Sequence, residues 1–452
     1  MILTSCGSSS PTRRCRAEVS MHFSERAYFL IVATALLAIA GIWSSDPALA
    51  GLWRWPAALL LLGLACEGFF MRRAVIRADV DTAARACLGR EQPAAFTFAN
   101  DSARAVKIEF APVIPPGFEP LPATRFVAVA GGASTRDAFT LMPVRLGPQR
   151  WPSLPARLLG PVGLAWWPRM LAVSREIAVA PAPSRQTRAR PRGHRMGLRP
   201  RRVSGAGSEL YQLRAYARGD PLSRVDWKAT ARSAELVTRE FSEDQHLDIL
   251  IALDAGRFSR VRAGRLDRLG LYANIAARFA QVATPNDDRV GLVVFADRPL
   301  AVCAPERGLR AITRLHETLA HLEVRAAESD PVSAALRIRA LLKHRSLVIV
   351  LTDLDDATAA EALARAVRLL CPPHLVVVAG VQSPEVHELA RRAGRGWRDP
   401  WVALAALEEE RRGEMQRRKL ARLGAPVIAR PEAELQEAIF AEYERLRRRR
   451  RI

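Results

Sequence analysis

The chain has 452 residues, 49% of them hydrophobic, and a formal charge of +22. That apolar share excludes wholesale disorder, and the length allows two or three domains with at least one large core. The excess charge is local rather than general: residues 181–208 hold eight arginines and no acid, and residues 445–451 hold six more arginines. The six cysteines (Cys6, Cys15, Cys66, Cys87, Cys303, Cys371) form no Cys-x-x-Cys pair, a pattern of reduced thiols rather than of disulfides or a zinc ribbon.

Residues 1–26 show no periodicity and are expected to be disordered, with Met21 an alternative start. Two uncharged or nearly uncharged runs follow, "AYFLIVATALLAIAGIW" (27–43) and "WPAALLLLGLACEGFFM" (55–71), each about long enough to cross a bilayer core. Trp43, Trp53 and Trp55 cluster at the short connection, where interfacial indoles belong. Arg13, Arg14, Arg16 and Arg26 precede the first run; Arg72, Arg73 and Arg77 follow the second. The positive-inside bias therefore places both ends of a 27–71 hairpin, and everything after it, in the cytoplasm. Glu67, within about a turn of the basic end, is expected to reach the lipid headgroups.

Residues 77–180 alternate in short segments such as "AAFTFAN", "AVKIEF" and "REIAVA", punctuated by Pro and Gly, which predicts a β-sandwich-like domain. The Pro/Gly/Arg stretch 181–208 reads as a linker. Lying just inside a membrane, its arginines suit anionic lipid; without interleaved aromatics, base stacking and nucleic-acid binding are not expected. From residue 247 to 452, continuous apolar strands ("LDILIALDA", "DRVGLVVFA", "SLVIVLTDL", "HLVVVAGV", "APVIAR") alternate with amphipathic helices and end in a basic tail. That pattern predicts an α/β fold with a doubly wound, mainly parallel sheet, whose ligands bind outside the carboxyl ends of the strands.

Between linker and sheet, residues 209–246 contain "LRAYARGDPLSRVDWKATARSAELVTREF" (213–241). Its Tyr216, Gly219, Asp220, Arg224, Asp226, Trp227, Lys228, Ala231 and Arg232 stand at the spacing of the bacterial family called domain of unknown function 58, which the chain resembles. The paired apolar runs, the β-domain and "GPVGLAWW" (160–167) fit the same resemblance, although Gly160 stands where the family commonly has an acid. The resemblance implies a C-terminal domain of von Willebrand factor A type in a protein of the bacterial inner membrane. It also implies partnership with MoxR-type AAA ATPases, by analogy as an adaptor.

The metal site usual in that fold takes Asp-x-Ser-x-Ser after the first strand, a Thr from a second loop and an Asp after the fourth strand. Such oxygens hold Mg²⁺ octahedrally and leave one position for a partner's acid. Asp254 and Asp353 remain at the two strand ends, but Gly256 and Phe258 occupy the serine positions and "ESDP" (328–331) stands at the Thr, leaving Asp330 as a substitute ligand. A Mg-dependent enzyme with a degenerate site is one alternative reading. A lipid or nucleic-acid binder working through the linker is another. Within 213–241 there is no His or Cys to pair as nucleophile and base, so catalysis and a small-molecule substrate are not expected. Asp220 and Asp226 are expected to pair with Arg214, Arg224 or Arg232 in forks that either clamp the β-domain to the parallel sheet or rigidify a docking surface. On the second reading Arg214, Tyr216, Gly219, Asp220, Arg224, Asp226, Trp227, Lys228 and Arg232 form that surface, with Trp227 as anchor.

Overall fold

The structure is a computed structural model that describes residues 21–43, 51–120, 124–182, 204–242, 247–354, 357–382, 384–392, 394 and 396–449. The expectation of disorder over residues 1–26 lies outside the described residues up to residue 20 and fails beyond it, where His22–Phe23 pair with Ala165 and Trp166 as a short strand and a helix starts at Glu25. Most of the arginine linker also lies outside the described residues. The chain divides into two compact units, Met1–Ala180 and Pro181–Ile452.

In the first unit, helices α1 (Glu25–Trp43) and α2 (Arg54–Arg73) cover both apolar runs and are long and apolar enough to cross a membrane. Their outward leucines and isoleucines, among them Ile39, Ile42, Leu59 and Leu62, are exposed, as a lipid-facing surface requires and a soluble core helix would not allow. Arg72 and Arg73 close α2, and Trp43, Trp53 and Trp55 are exposed beside the connection. The β-domain is antiparallel apart from one parallel pair, Glu176–Ala180 against Arg85–Cys87. Its core forms because residues two apart share a strand face: Phe96 and Phe98 of strand Gln92–Asn100 meet Phe110 of strand Val106–Phe110, the Phe98 and Phe110 rings lying 4.8 Å apart. Phe139 stacks on Phe96 at 4.6 Å and Trp151 completes the cluster.

Glu67 does not reach toward headgroups. It is fully buried and accepts the backbone N–H groups of Leu164 and Ala165 at 2.8 and 3.0 Å. A Cβ at position 160 would collide with its carboxylate. An acid on the helix therefore occupies the space beside Gly160, the loop position where the resembled family commonly has an acid. Arg169 binds the α2 terminus as well, donating to the carbonyls of Met71 and Ala74. These bonds satisfy groups that a helix end leaves open.

The second unit contains a six-stranded sheet built from β1 (Asp248–Asp254), β2 (Arg289–Phe295), β3 (Pro299–Glu306), β4 (Leu347–Leu351), β5 (Leu375–Val381) and β6 (Val427–Arg430). The order is β3-β2-β1-β4-β5-β6, with only β3 antiparallel to its neighbour. This is the doubly wound arrangement expected of a von Willebrand factor A-type sheet. Central β1 is buried on both faces, which explains its unbroken apolar run. On one face pack α6 (Pro331–Leu341), α7 (Ala357–Leu370) and the end of α9 (Asp399–Arg422), through Ile338, Val367 and Leu420. The other face carries α4 (Arg268–Ala283), α5 (Gly308–Ala320) and α10 (Glu432–Arg449), where Phe279 meets Tyr443 with ring centres 5.0 Å apart. Between β5 and β6, α8 (Pro384–Arg391) and α9 form a helical hairpin. Ahead of the sheet, strands Ser204–Ala215 and Val237–Ser242 pair as a separate antiparallel ribbon carrying the short helix α3 (Trp227–Ser233).

Candidate functional site: a clamped ribbon and the acidic end of the sheet

The ribbon explains the charge density of 213–241. Arg214 forks onto Asp220, Nη1 and Nη2 donating to its two carboxylate oxygens at 2.7 and 2.8 Å, while Nε donates to Glu240 at 2.6 Å. The Arg214 guanidinium holds both carboxyls below their usual range. Register makes this geometry possible: Gln212 and Arg214 lie opposite Glu240 and Thr238, so one side of the ribbon lines up the pair. The Tyr216 hydroxyl donates to the Asp220 carbonyl at 3.2 Å, and Gly219 turns the chain at φ +109°, a conformation that side-chain-bearing residues rarely adopt. Asp226 is the N-cap of α3, accepting the N–H groups of Lys228 and Ala229 at 3.0 Å each. Its other oxygen takes Nε of Arg239 at 3.0 Å. The Ala229 cap bond first and the Arg239 bond second depress its pKa, with the Lys228 bond adding least.

Two expected pairings differ. Asp226 pairs with Arg239, because a residue across the ribbon is closer than one along the helix; Arg224 and Arg232 do not serve it. Arg218, Arg224, Lys228 and Arg232 have no acidic partner among the described residues. Beside them Trp227, the first residue of α3, is 64% exposed. The carboxylates are thus used up internally, and the surface presents an indole among uncompensated cations. The clamp expected between two domains is, in its described bonds, a clamp within the ribbon. Glu240 and Arg239 carry it and were not singled out from sequence, although they lie inside "LVTREF" on the returning strand.

At the carboxyl ends of β1 and β4 the chemistry is different. Asp254 is buried; Oδ1 accepts the Gly256 N–H at 2.9 Å and the Ser329 hydroxyl at 2.5 Å, and Oδ2 accepts the Thr352 hydroxyl at 2.6 Å. Burial pushes its carboxyl above the usual aspartate range against the pull of those bonds. Asp353 forms an ion pair with Arg268, both side chains nearly buried. Tyr272, one turn after Arg268, ties the ends of β4 and β5 by donating to the Thr352 carbonyl at 3.0 Å and accepting the Val381 N–H at 3.2 Å. Asp330 caps α6 through the Val332 N–H at 3.0 Å.

These residues do not fit Mg²⁺. The hydroxyls that would be ligands point their protons at Asp254, and Asp353 is already neutralised by a guanidinium. A Cβ at position 256 would strike Ser329 Oγ, so that hydroxyl fills the space of the missing serine. Asp330 is committed to its helix, and no cluster of three His, Cys, Asp or Glu suited to a metal occurs among the described residues. Of the three expected ligands, Asp254 is thus a hydrogen-bonded carboxylate, Asp330 a helix cap and Asp353 one half of a buried ion pair. Sequence reading missed Arg268, Ser329 and Thr352. Arg268 did leave a signal, a charge four residues before Tyr272 on the otherwise apolar face of α4. A cavity of about 260 Å³ opens beside Asp353, lined also by Leu354, Glu361, Gln416, Arg417 and Lys419.

Residues 212–417 match the family model described as "Protein of unknown function DUF58", so the resemblance read from the signature holds over that segment. Solved structures similar to this chain include a conserved hypothetical protein BatB from Bacteroides thetaiotaomicron, 18% identical over 44% of this chain and 98% of that one, with a TM-score of 0.31. An aerotolerance-related membrane protein from Bacteroides fragilis is 17% identical over 44% and 99%, with a TM-score of 0.29. An uncharacterized membrane-spanning protein from Vibrio fischeri is 16% identical over 44% and 98%, with a TM-score of 0.18. Curated proteins give no match. The architecture rests on the strand order itself, and the two apolar helices make this a membrane-associated protein with a von Willebrand factor A-type domain.

Proposed function

We propose that this is a membrane-anchored adaptor, held in the bacterial inner membrane by the α1–α2 hairpin with its two units in the cytoplasm. It would recruit a MoxR-type AAA ATPase to membrane or envelope clients, and on this reading it performs no chemistry of its own. One observation carries the proposal. The ribbon spends Arg214, Asp220, Asp226, Arg239 and Glu240 on holding itself rigid, and thereby presents Trp227 between Arg224, Lys228 and Arg232. A rigid indole flanked by cations is a low-entropy anchor for an acidic, partly apolar protein surface. The topology of the hairpin is supported by the arginines at both of its ends and by their scarcity between residues 44 and 53.

The test is extraction of the full chain in mild detergent and identification of co-purifying proteins by mass spectrometry. An ATPase of this class should be recovered with the wild type and reduced about tenfold or more by Trp227→Ala combined with Lys228→Glu. Undiminished recovery with the double variant, or a chain that never brings an ATPase with it, would reject the reading.

A further inference from the structure

The α8–α9 hairpin exposes an apolar stripe that nothing in the sheet or the ribbon uses. Its turn reads "RRAGRGWRDPW" (391–401), four arginines and two tryptophans with a single acid. Trp397 and Trp401 are 77% and 68% exposed, and Leu404 and Met415 are exposed as well. At 100° per residue, Trp401 and Leu404 share one side of α9, with Trp397 just ahead of its first turn; Met415 lies further along that side, beyond Glu408, Arg411 and Arg412. The opposite side holds the hairpin to the unit. Ala406 and Leu420 are buried there, and Glu410 binds His387 and Arg391 of α8 at 2.7 and 3.2 Å. The stripe is therefore not a core face turned outward by poor packing; α9 has a separate core face, and it is filled. Arg398 lies over the Trp397 ring at 4.9 Å, and neither it nor Arg392 has an acidic partner among the described residues.

From this geometry we infer that the tip of the α8–α9 hairpin docks on an anionic lipid surface. Indoles with guanidiniums beside them are the side chains that settle at the boundary between headgroups and acyl chains. Anionic headgroups complement the uncompensated arginines. The bilayer is also already at hand, because the same chain carries two helices able to cross it. Tip and apolar helices belong to one chain, so even weak insertion is favoured by effective concentration. The inference goes beyond the adaptor reading and needs no ATPase.

The experiment reconstitutes the full chain in vesicles of phosphatidylglycerol or phosphatidylcholine, each with or without bromine on the acyl chains. Subtracting the emission of the Trp397→Phe/Trp401→Phe variant from that of the wild type isolates the two tip indoles from the seven other tryptophans. Bromine should quench this difference signal about twofold or more in phosphatidylglycerol and much less in phosphatidylcholine. Arg392→Glu with Arg398→Glu should abolish the quenching, while Trp43, Trp53 and Trp55 remain quenched and so report intact insertion of the hairpin. A difference signal untouched by bromine and freely quenched by aqueous acrylamide would overturn the inference. So would protection from acrylamide that arises only when a partner protein is added, since the stripe would then be a protein site.

Discussion

The ribbon and the end of the sheet are both built from aspartates and arginines, yet burial makes them opposites. In the ribbon, Arg214 and Arg239 pair with Asp220, Glu240 and Asp226 at a surface that water still reaches, so the pairs fix shape more than they add stability. At the sheet end, Arg268–Asp353 and Asp254 lie inside, where each charge must be matched or its loss is severe. The same residue types thus hold a presented surface in one place and neutralise one another in a buried pair in the other. The type of aspartate says little; the dielectric around it decides.

The sharpest way to break the comparison is at the buried pair. Arg268→Ala removes the guanidinium paired with the nearly buried Asp353 carboxylate and should cost about 3–5 kcal/mol, whereas Arg268→Met combined with Asp353→Leu should restore most of it. Hydrogen exchange of the full chain in detergent reads this as loss of protection in β1 and β4, followed by its recovery. If adding Mg²⁺ instead raised the wild type's protection there, the guanidinium would not be the resident cation. Asp254→Ala comes next, at about 1–3 kcal/mol, because the Ser329 and Thr352 hydroxyls and the Gly256 N–H lose their acceptor. Asp254→Asn keeps the shape and an acceptor, and should cost much less.

A smaller effect gives the two regions opposite signs. Asp220, Asp226 and Glu240 titrate below their ordinary values, so their contribution is complete above the ordinary carboxylate range and is lost as pH falls through the depressed values. Asp254 titrates above its ordinary value, so its favourable contribution is present below that value and is lost as pH rises through the raised one. Exchange measured across the acidic range, corrected for intrinsic rates, should show ribbon peptides 212–240 loosening toward low pH and the end of β1 tightening. Asp254→Asn should flatten only the second trend.

Legibility from sequence follows the same division. The apolar runs of α1 and α2, the alternation around Phe96 and Phe98, and the unbroken β1, β2, β4 and β5 were readable because periodicity is a local property. The fork of Arg214 onto Asp220 was within reach because the partners lie six residues apart. Asp226 with Arg239, thirteen residues away, depended on strand register, which no spacing rule supplies. Glu67 beside Gly160 and Ser329 beside Asp254 join residues far apart in the chain, and only the folded backbone brings them together. Strand ends could be located, but what fills the space between them could not.

The smallest expected effect tests what the ribbon is for. Trp227 is the first residue of α3, but the bonds that form that turn are made by the Asp226 carboxylate and by the Thr230 hydroxyl, which accepts the Val237 N–H at 3.1 Å. Removing the indole takes away no hydrogen bond and little buried area, so Trp227→Ala should change stability by no more than about 0.5 kcal/mol. Exchange in 212–240 should stay within error of the wild type, while Asp226→Ala should expose the first turn of α3. If Trp227→Ala instead loosened the ribbon as much as Asp226→Ala does, the indole would be a structural prop rather than a presented group. The contrast between a clamp that holds and a face that is shown would then disappear.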